Sequence, residues 1–276
     1  MKIAAIATCH NRKEKTLSCL EHFYAATNDC DFYLVDDGST DGTSNIVKEK
    51  FPQVTIIYGD GTLFWSRGMH KAWEYALQGD YDFYIWVNDD VEVLDSFLKT
   101  LFDSFNRAGV DCIVSGLVAD KETGKVIYGG YDKTKKMIET YSEPTEIQYM
   151  NGNVVLIPKS VVKRIGIIDP RFHHDLGDVD YGLTAIRAGI KVVTSVGIVA
   201  YGTPNNLCRV RIWGTSCKNR FKKLNSPLGS PINIFYYFKK KHYGTANAIL
   251  SSLYLIAINI LPDWVIRLLF GDRYKN

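Results

Sequence analysis

Short apolar runs alternate with segments of helical period four times between Lys2 and Arg107. Lys2–Thr8, Asp31–Asp36, Val54–Tyr58 and the apolar run from Tyr84 that ends in Asn88-Asp89-Asp90 read as buried strands. Lys13–Thr27 carries Leu17, Leu20 and Tyr24 on one stripe, and Thr43–Lys50 is stopped by Pro52. Ser66–Gln78 places Met69, Ala72, Trp73 and Ala76 at i, i+3, i+4 and i+7, and Asp95–Arg107 carries Phe97, Leu101 and Phe105. That order predicts an α/β fold, a parallel sheet with helices packed over it. After Val110 the pattern changes. Cys112–Val118, Lys125–Gly130 and Glu146–Ile157 read as strands of a mixed section, joined by turns such as Glu122-Thr123-Gly124. A short helix Val161–Ile165, a helix closed by Gly189, and a last strand Lys191–Tyr201 follow.

The 276 residues suffice for one large domain or a domain with an appendage. A net charge of +3 argues against wholesale nucleic-acid binding, and the positive charge is concentrated late in the chain. Six cysteines form no C-x-x-C pair and no Cys/His cluster at zinc spacing. They read as packing residues of a reduced, cytoplasmic protein. The opening Met1–Cys9 could pass for a short signal or lipoprotein sequence. Arg12-Lys13-Glu14-Lys15 follows at once and Thr8 is a poor residue before Cys9, so a first strand is expected.

Parallel strands end on one edge, where such sheets bind ligands. Three ends there are polar: Thr8-Cys9-His10-Asn11-Arg12, Asp36-Asp37-Gly38-Ser39 and Asn88-Asp89-Asp90. Adjacent carboxylates repel, so a cation is the simplest way to keep both ionised, and hard oxygen ligands suit Mg²⁺ or Mn²⁺. Asx-rich turns are the plainer reading of the same residues. Arg67 near a helix start is a phosphate contact or a surface arginine. Trp65 stacks on a ligand or fills the core. Asn151-Gly152-Asn153 lines a site or, as the plainer reading, is a turn. His173 and His174 are loop histidines whose substrate contact is favoured over metal ligation. Asp178, by position alone, reads as a helix cap.

These motifs in this order resemble the inverting family 2 glycosyltransferases of GT-A fold: the strand ending in His10-Asn11-Arg12, Val35-Asp36-Asp37-Gly38-Ser39-Thr40-Asp41-Gly42-Thr43, Asn88-Asp89-Asp90, and Gly177-Asp178-Val179-Asp180-Tyr181-Gly182-Leu183. The resemblance covers roughly residues 2–201 and is nearest to bacterial enzymes of surface-polysaccharide synthesis, rhamnosyl- and galactosyltransferases among them. It implies a catalytic domain over 1–202, with a nucleotide-binding half to 110 and an acceptor half from 111. Thr8, His10, Arg12 and Arg67 would then border the nucleotide, Asp36 would accept from the base, Asp37 would hold the loop, and Asp89 would approach the ribose beside Asn88. Asp90 would ligate Mn²⁺ or Mg²⁺ across the diphosphate, and Asp178 would be the catalytic base. Trp65, Asn153, His173, His174, Asp175 and Asp180 fall on the acceptor side. Two residues depart from the family: Asn88 stands where many members have aspartate, and Gly177 where many have glutamate.

Residues 203–276 form a different region. Lys218, Arg220, Lys222 and Lys223, then Lys239-Lys240-Lys241-His242, are basic clusters beside a largely apolar stretch, Ala246–Leu261, and a segment Trp264–Phe270. The stretch is short for a membrane span and contains Asn247, Ser251, Ser252 and Asn259. Either these are helices packed on the domain or on a second subunit, or they are an interfacial pair at an anionic membrane. The expectation is a metal-dependent inverting glycosyltransferase. It would take a UDP- or dTDP-sugar to a glycan or lipid-linked acceptor at the inner face of the cell membrane. The alternatives are a sugar-phosphate nucleotidyltransferase, which would need a Gly-rich loop after the first strand, and an inert nucleotide-sugar-binding homologue. A dinucleotide fold is disfavoured because no G-x-G-x-x-G follows that strand.

Overall fold

A computed structural model describes residues 1–109, 111–139, 142–205 and 208–274. They form two compact units: Met1–Pro170 with Gly177–Pro204, and Arg171–Leu176 with the chain from Asn205. The short segment Arg171–Leu176, inside the 1–202 division drawn from sequence, groups with the later helices.

In the first unit the elements run β1 (Ile3–Cys9), α1 (Lys13–Ala26), β2 (Cys30–Asp36), α2 (Thr43–Lys50), β3 (Thr55–Tyr58), α3 (Phe64–Ala76) and β4 (Phe83–Val87). They continue with β5 (Glu92–Val93), α4 (Phe97–Ala108), β6 (Cys112–Asp120), β7 (Val126–Tyr128), β8 (Gly130–Tyr131), β9 (Tyr149–Met150), β10 (Val154–Pro158), α5 (Lys159–Ile165), α6 (Gly177–Arg187) and β11 (Lys191–Gly202). The main sheet has the order β3-β2-β1-β4-β10-β6-β11-β5, with β7 on β6, while β8 and β9 pair separately. The first four strands in that order are mutually parallel. β10 then enters antiparallel between β4 and β6.

The period-2 alternation of buried strands explains the two cores. Ile3, Ala5 and Ala7 face Leu20 and Phe23 of α1 and Phe97 of α4. Ala4, Ile6 and Trp86 face Met69 and Trp73 of α3 and Tyr181 of α6. Trp73 meets Trp86 edge-on at 5.5 Å, an arrangement that aromatic quadrupoles favour. Cys9, Cys19, Cys30 and Cys112 are buried thiols with no disulfide partner.

Two expected boundaries move, for physical reasons. Glu146–Ile157 is not one strand: it breaks at Asn151-Gly152-Asn153 between β9 and β10, where the backbone turns to other partners. α3 starts at Phe64 rather than Ser66, because the Asp37 carboxylate accepts from Leu63 N and Phe64 N at 2.9 Å each. A carboxylate far back in the chain thus serves as the cap. The strand leading to Asn88-Asp89-Asp90 closes at Val87, where the apolar run ends, while the two-residue β5 gave no sequence signal.

The second unit holds α7 (Cys217–Leu224), α8 (Ile232–Tyr243), α9 (Thr245–Ile260) and α10 (Asp263–Phe270). Its core gathers Leu224, Leu255, Ile258, Ile266 and Tyr274. Arg220, expected in a basic surface cluster, is buried instead. With buried Arg211 it holds the α9–α10 corner: both reach Asp263 and the Leu261 carbonyl. Carbonyls left over at a helix end take these donors readily. No helix among the described residues is long and apolar enough to cross a membrane.

Candidate active site

The loops after β1 and β2 are laced together at the carboxyl edge of the sheet. Cys9 lies opposite Asp36 in register, and Asp36 opposite Tyr58. Asn11 takes a left-handed conformation, φ 50°, accessible to asparagine. Its N–H donates to Ser39 Oγ and its Oδ1 accepts from Thr40 N. His10 Nδ1 lies 2.5 Å from the Asp37 carbonyl. Asp36 and Asp37 are both buried. Asp36 accepts from Ser39 N and Ser44 Oγ, whereas Asp37 accepts from Gly61, Leu63 and Phe64 N. Gly38, φ 70°, has no room for a Cβ, which would lie 2.8 Å from Gly61 N. Buried Thr8 fills the space a side chain at Gly68 would need, so the first turns of α3 approach the end of β1.

Arg12 joins this edge to the acidic tip. Its Nη1 lies 2.8 Å from Asp89 Oδ1 and its Nη2 2.9 Å from Asp90 Oδ2. Asp89 is 6% exposed and its Oδ2 is buried with no hydrogen-bond partner. Burial pushes its carboxyl up to about 6 although the Arg12 charge pulls the other way. Burial works against the Arg12 charge too, but Asp89 and Asp90 outweigh it and raise the guanidinium above its ordinary value. Part of the cation that two adjacent carboxylates demand is therefore a side chain of the protein. No group of three His, Cys, Asp or Glu residues that could hold a metal occurs among the described residues. Asp90 is the more exposed of the pair. These residues fit a divalent ion shared between one carboxylate and a ligand's phosphates, the usual manner for Mg²⁺, and do not fit a cage built by protein alone.

Asn88 is committed to its neighbours. Its Oδ1 accepts from Trp65 Nε1 at 2.7 Å, its Nδ2 donates to Asn153 Oδ1 at 2.8 Å, and its backbone N–H donates to the Asn153 carbonyl. The Trp65 ring also packs edge-on against Trp86. Trp65 then covers Gly152, where an added Cβ would lie 2.6 Å from the indole and 3.0 Å from the Asp178 Cβ. Gly152 N donates to Asp178 Oδ2 at 2.9 Å, while Asp178 Oδ1 accepts from Val179 N in its own first turn. A continuous run of contacts thus links the acidic tip to Asp178: Asn88, Asn153, Gly152, Asp178. Tyr131 stands near Asp178, and burial first and that carboxylate second raise its phenol.

The remaining predicted residues lie as follows. Arg67, in the first turn of α3, donates to the Pro170 carbonyl at 3.0 Å. Asp180 is buried, two positions past Asp178 and so on another face of α6. His173, His174 and Asp175 belong to the second unit. There Asp175 accepts from Ser230 Oγ at 3.0 Å, and burial raises its carboxyl despite nearby Arg209. Gly177 is enforced by space: a Cβ there would lie 2.3 Å from Ser66 Oγ. Sequence reading missed Tyr131 and Ser66 as site residues. Neither carries a charge or a motif, and only long-range packing gives them their place.

Glycosyl transferase family 2 matches residues 4–166 of the chain, well over half of it. No curated protein matches. Among solved structures, residues 1–349 of S. aureus TarS superpose with a TM-score of 0.56 at 13% identity, covering 99% of this chain and 73% of that one. The same fragment in complex with UDP-GlcNAc gives 0.55 at 13% identity, over 99% and 74%. The mannosyltransferase PcManGT from Pyrobaculum calidifontis, in complex with GDP-Man and Mn²⁺, gives 0.57 at 14% identity, over 99% and 81%. At such identities the likeness is one of fold, and the fold is that of the GT-A glycosyltransferases.

Proposed function

The chain belongs to glycosyl transferase family 2, and we propose that it transfers a sugar from a nucleoside diphosphate, UDP or dTDP, to an acceptor hydroxyl with inversion. The acceptor is a glycan or lipid-linked glycan of bacterial surface polysaccharide, met at the inner face of the cell membrane. The observation that supports this reading is the run of contacts from Asn88, the residue before the two carboxylates, through Asn153 and Gly152 to Asp178.

The acceptor hydroxyl attacks the anomeric carbon while the bond from that carbon to the phosphate oxygen breaks. The bonding pair leaves with the diphosphate, and the hydroxyl proton passes to Asp178. The hydrogen bonds from Gly152 N and Val179 N aim that carboxylate. Asp90 would hold Mn²⁺ or Mg²⁺ together with the diphosphate, and such an ion supplies Lewis-acid stabilisation of the departing charge. Arg12, a neighbour of Asp90, adds fixed positive charge at the same edge. PcManGT was solved with Mn²⁺, which supports the metal assignment.

Thermal unfolding with UDP, dTDP and GDP, each with and without Mn²⁺, tests the binding half. A ligand that binds only the folded state raises stability by about 2.7 kcal/mol at a hundredfold excess over Kd. The expected outcome is a rise with one nucleotide that is enlarged by Mn²⁺. No response to any nucleotide would remove the donor assignment. Release of pyrophosphate during turnover would point to a nucleotidyltransferase.

A further inference from the structure

We propose that the outer faces of α9 and α10 seat this chain on an anionic lipid surface without crossing it. The inference rests on the second unit alone and does not depend on the transfer reaction.

α9 carries apolar residues on both faces: it buries Ala248, Leu255 and Ile258 as well as polar groups. Its buried stripe includes Ser252 and Asn259, and Asn259 donates to the Val210 and Leu255 carbonyls at 2.9 Å each. Its outward stripe is Ile249, Leu250, Leu253 and Ile260, with Leu250 68% exposed. The polar residues that weaken Ala246–Leu261 as a lipid-contacting sequence therefore include two that point inward. No charged side chain occurs in Thr245–Ile260. α10 repeats the arrangement: Ile266 is buried, while Trp264 is 71% and Leu268 78% exposed. The Tyr254 ring meets Phe270 edge-on at 6.0 Å and its hydroxyl bonds that of Tyr274. The outward side of α9 thus adjoins the last turn of α10, next to exposed Leu268 and Leu269. Scattered surface leucines are ordinary, but outward apolar stripes on two consecutive helices mark a contact surface.

Charge selects the occupant. Residues 203–276 hold twelve Lys and Arg against Asp263 and Asp272, a formal +10, which leaves −7 on residues 1–202 of the total +3. Lys240 and Lys241 end α8 just before α9, and exposed Arg267 lies on α10 between Trp264 and Leu268. A second copy on this face would bring two strongly positive units together, which costs energy at every separation within a Debye length. A bilayer carrying anionic headgroups presents the opposite sign over an apolar interior, and amphipathic helices with aromatic and leucine residues enter at that depth. At 1.5 Å per residue, the 16 residues of α9 span about 24 Å, short of the roughly 30 Å hydrocarbon core, so the helix lies on the surface.

The test is flotation of the full chain with vesicles of phosphatidylcholine alone or with about a quarter phosphatidylglycerol, beside light scattering of the free protein. The expected result is a bound fraction about tenfold greater on the anionic vesicles, falling as salt is raised. Leu253→Glu with Leu268→Glu abolishes flotation while thermal unfolding of the free protein is unchanged. Should that pair fail to fold, Lys240→Glu with Arg267→Glu, both exposed, removes the preference for anionic vesicles. Absence of flotation with either lipid overturns the inference, as does equal binding to neutral vesicles. A stable dimer that Leu253→Glu breaks also overturns it, by assigning the face to a second copy.

Discussion

Arg12 places one nitrogen on each of two neighbouring carboxylates, so the charge at the acidic tip is partly balanced by the chain itself. The Asp89 carboxyl, near ~3.9 in an unfolded chain, rises to about 6 when folded, mainly through burial. A raised carboxylate pKa means the folded state prefers the protonated form. The Asp89 contribution to stability is therefore complete below about pH 4 and is lost as pH climbs through about 6. Arg12 moderates that loss. Arg12→Gln is expected to lower the unfolding free energy at pH 7.5 by about 1–3 kcal/mol, less than for a fully buried pair because the guanidinium is partly exposed. The penalty shrinks at pH 5, where Asp89 without its partner takes up a proton. Denaturant titrations at the two pH values check this, and an equal penalty at both would show that Arg12 acts through packing alone. The sequence signals that a cation belongs beside Asp89 and Asp90. It does not say that an arginine from the first loop provides one, because nothing local ties Arg12 to those residues.

At the scale of elements, two helix starts meet partners remote in sequence. α3 begins where Asp37 accepts its first N–H groups, and α6 begins where Gly177 meets Ser66 of α3. Ser66 Oγ is buried without a hydrogen-bond partner, so its contact with Gly177 is one of shape. Gly177→Ala should destabilise the protein by about 1–3 kcal/mol through overpacking. Combined with Ser66→Gly it should do so less, with a favourable coupling of about 1 kcal/mol in a double-mutant cycle. Additive losses would show that the two helices can move apart freely. Periodicity made most helices and strands legible, since each buries one face. It missed Phe64 as the start of α3, because that start is decided by hydrogen bonds to Asp37, remote in sequence. Gly177 reads in sequence as a missing glutamate, whereas the fold shows a position with no space for a side chain.

At the scale of the molecule, the decisive feature is β10 running antiparallel beside β4. That pairing sets Val154 opposite Val87 and so brings Asn153 to Asn88, and from there Gly152 carries the contact to Asp178. Strand–helix alternation predicted the parallel half of the sheet. It could not predict which later strand would insert next to β4, since strand order depends on long-range pairing that a local pattern does not encode. The motifs named Asp90 and Asp178 separately, and the topology joins their surroundings. The most direct test of this account is the transfer rate of Asp178→Asn at saturating donor and acceptor, with nucleotide affinity measured on the same protein. The account predicts a rate lower by about 10³-fold with affinity nearly unchanged. Transfer within about tenfold of the parent protein would contradict it, because a general base cannot be lost at so small a cost.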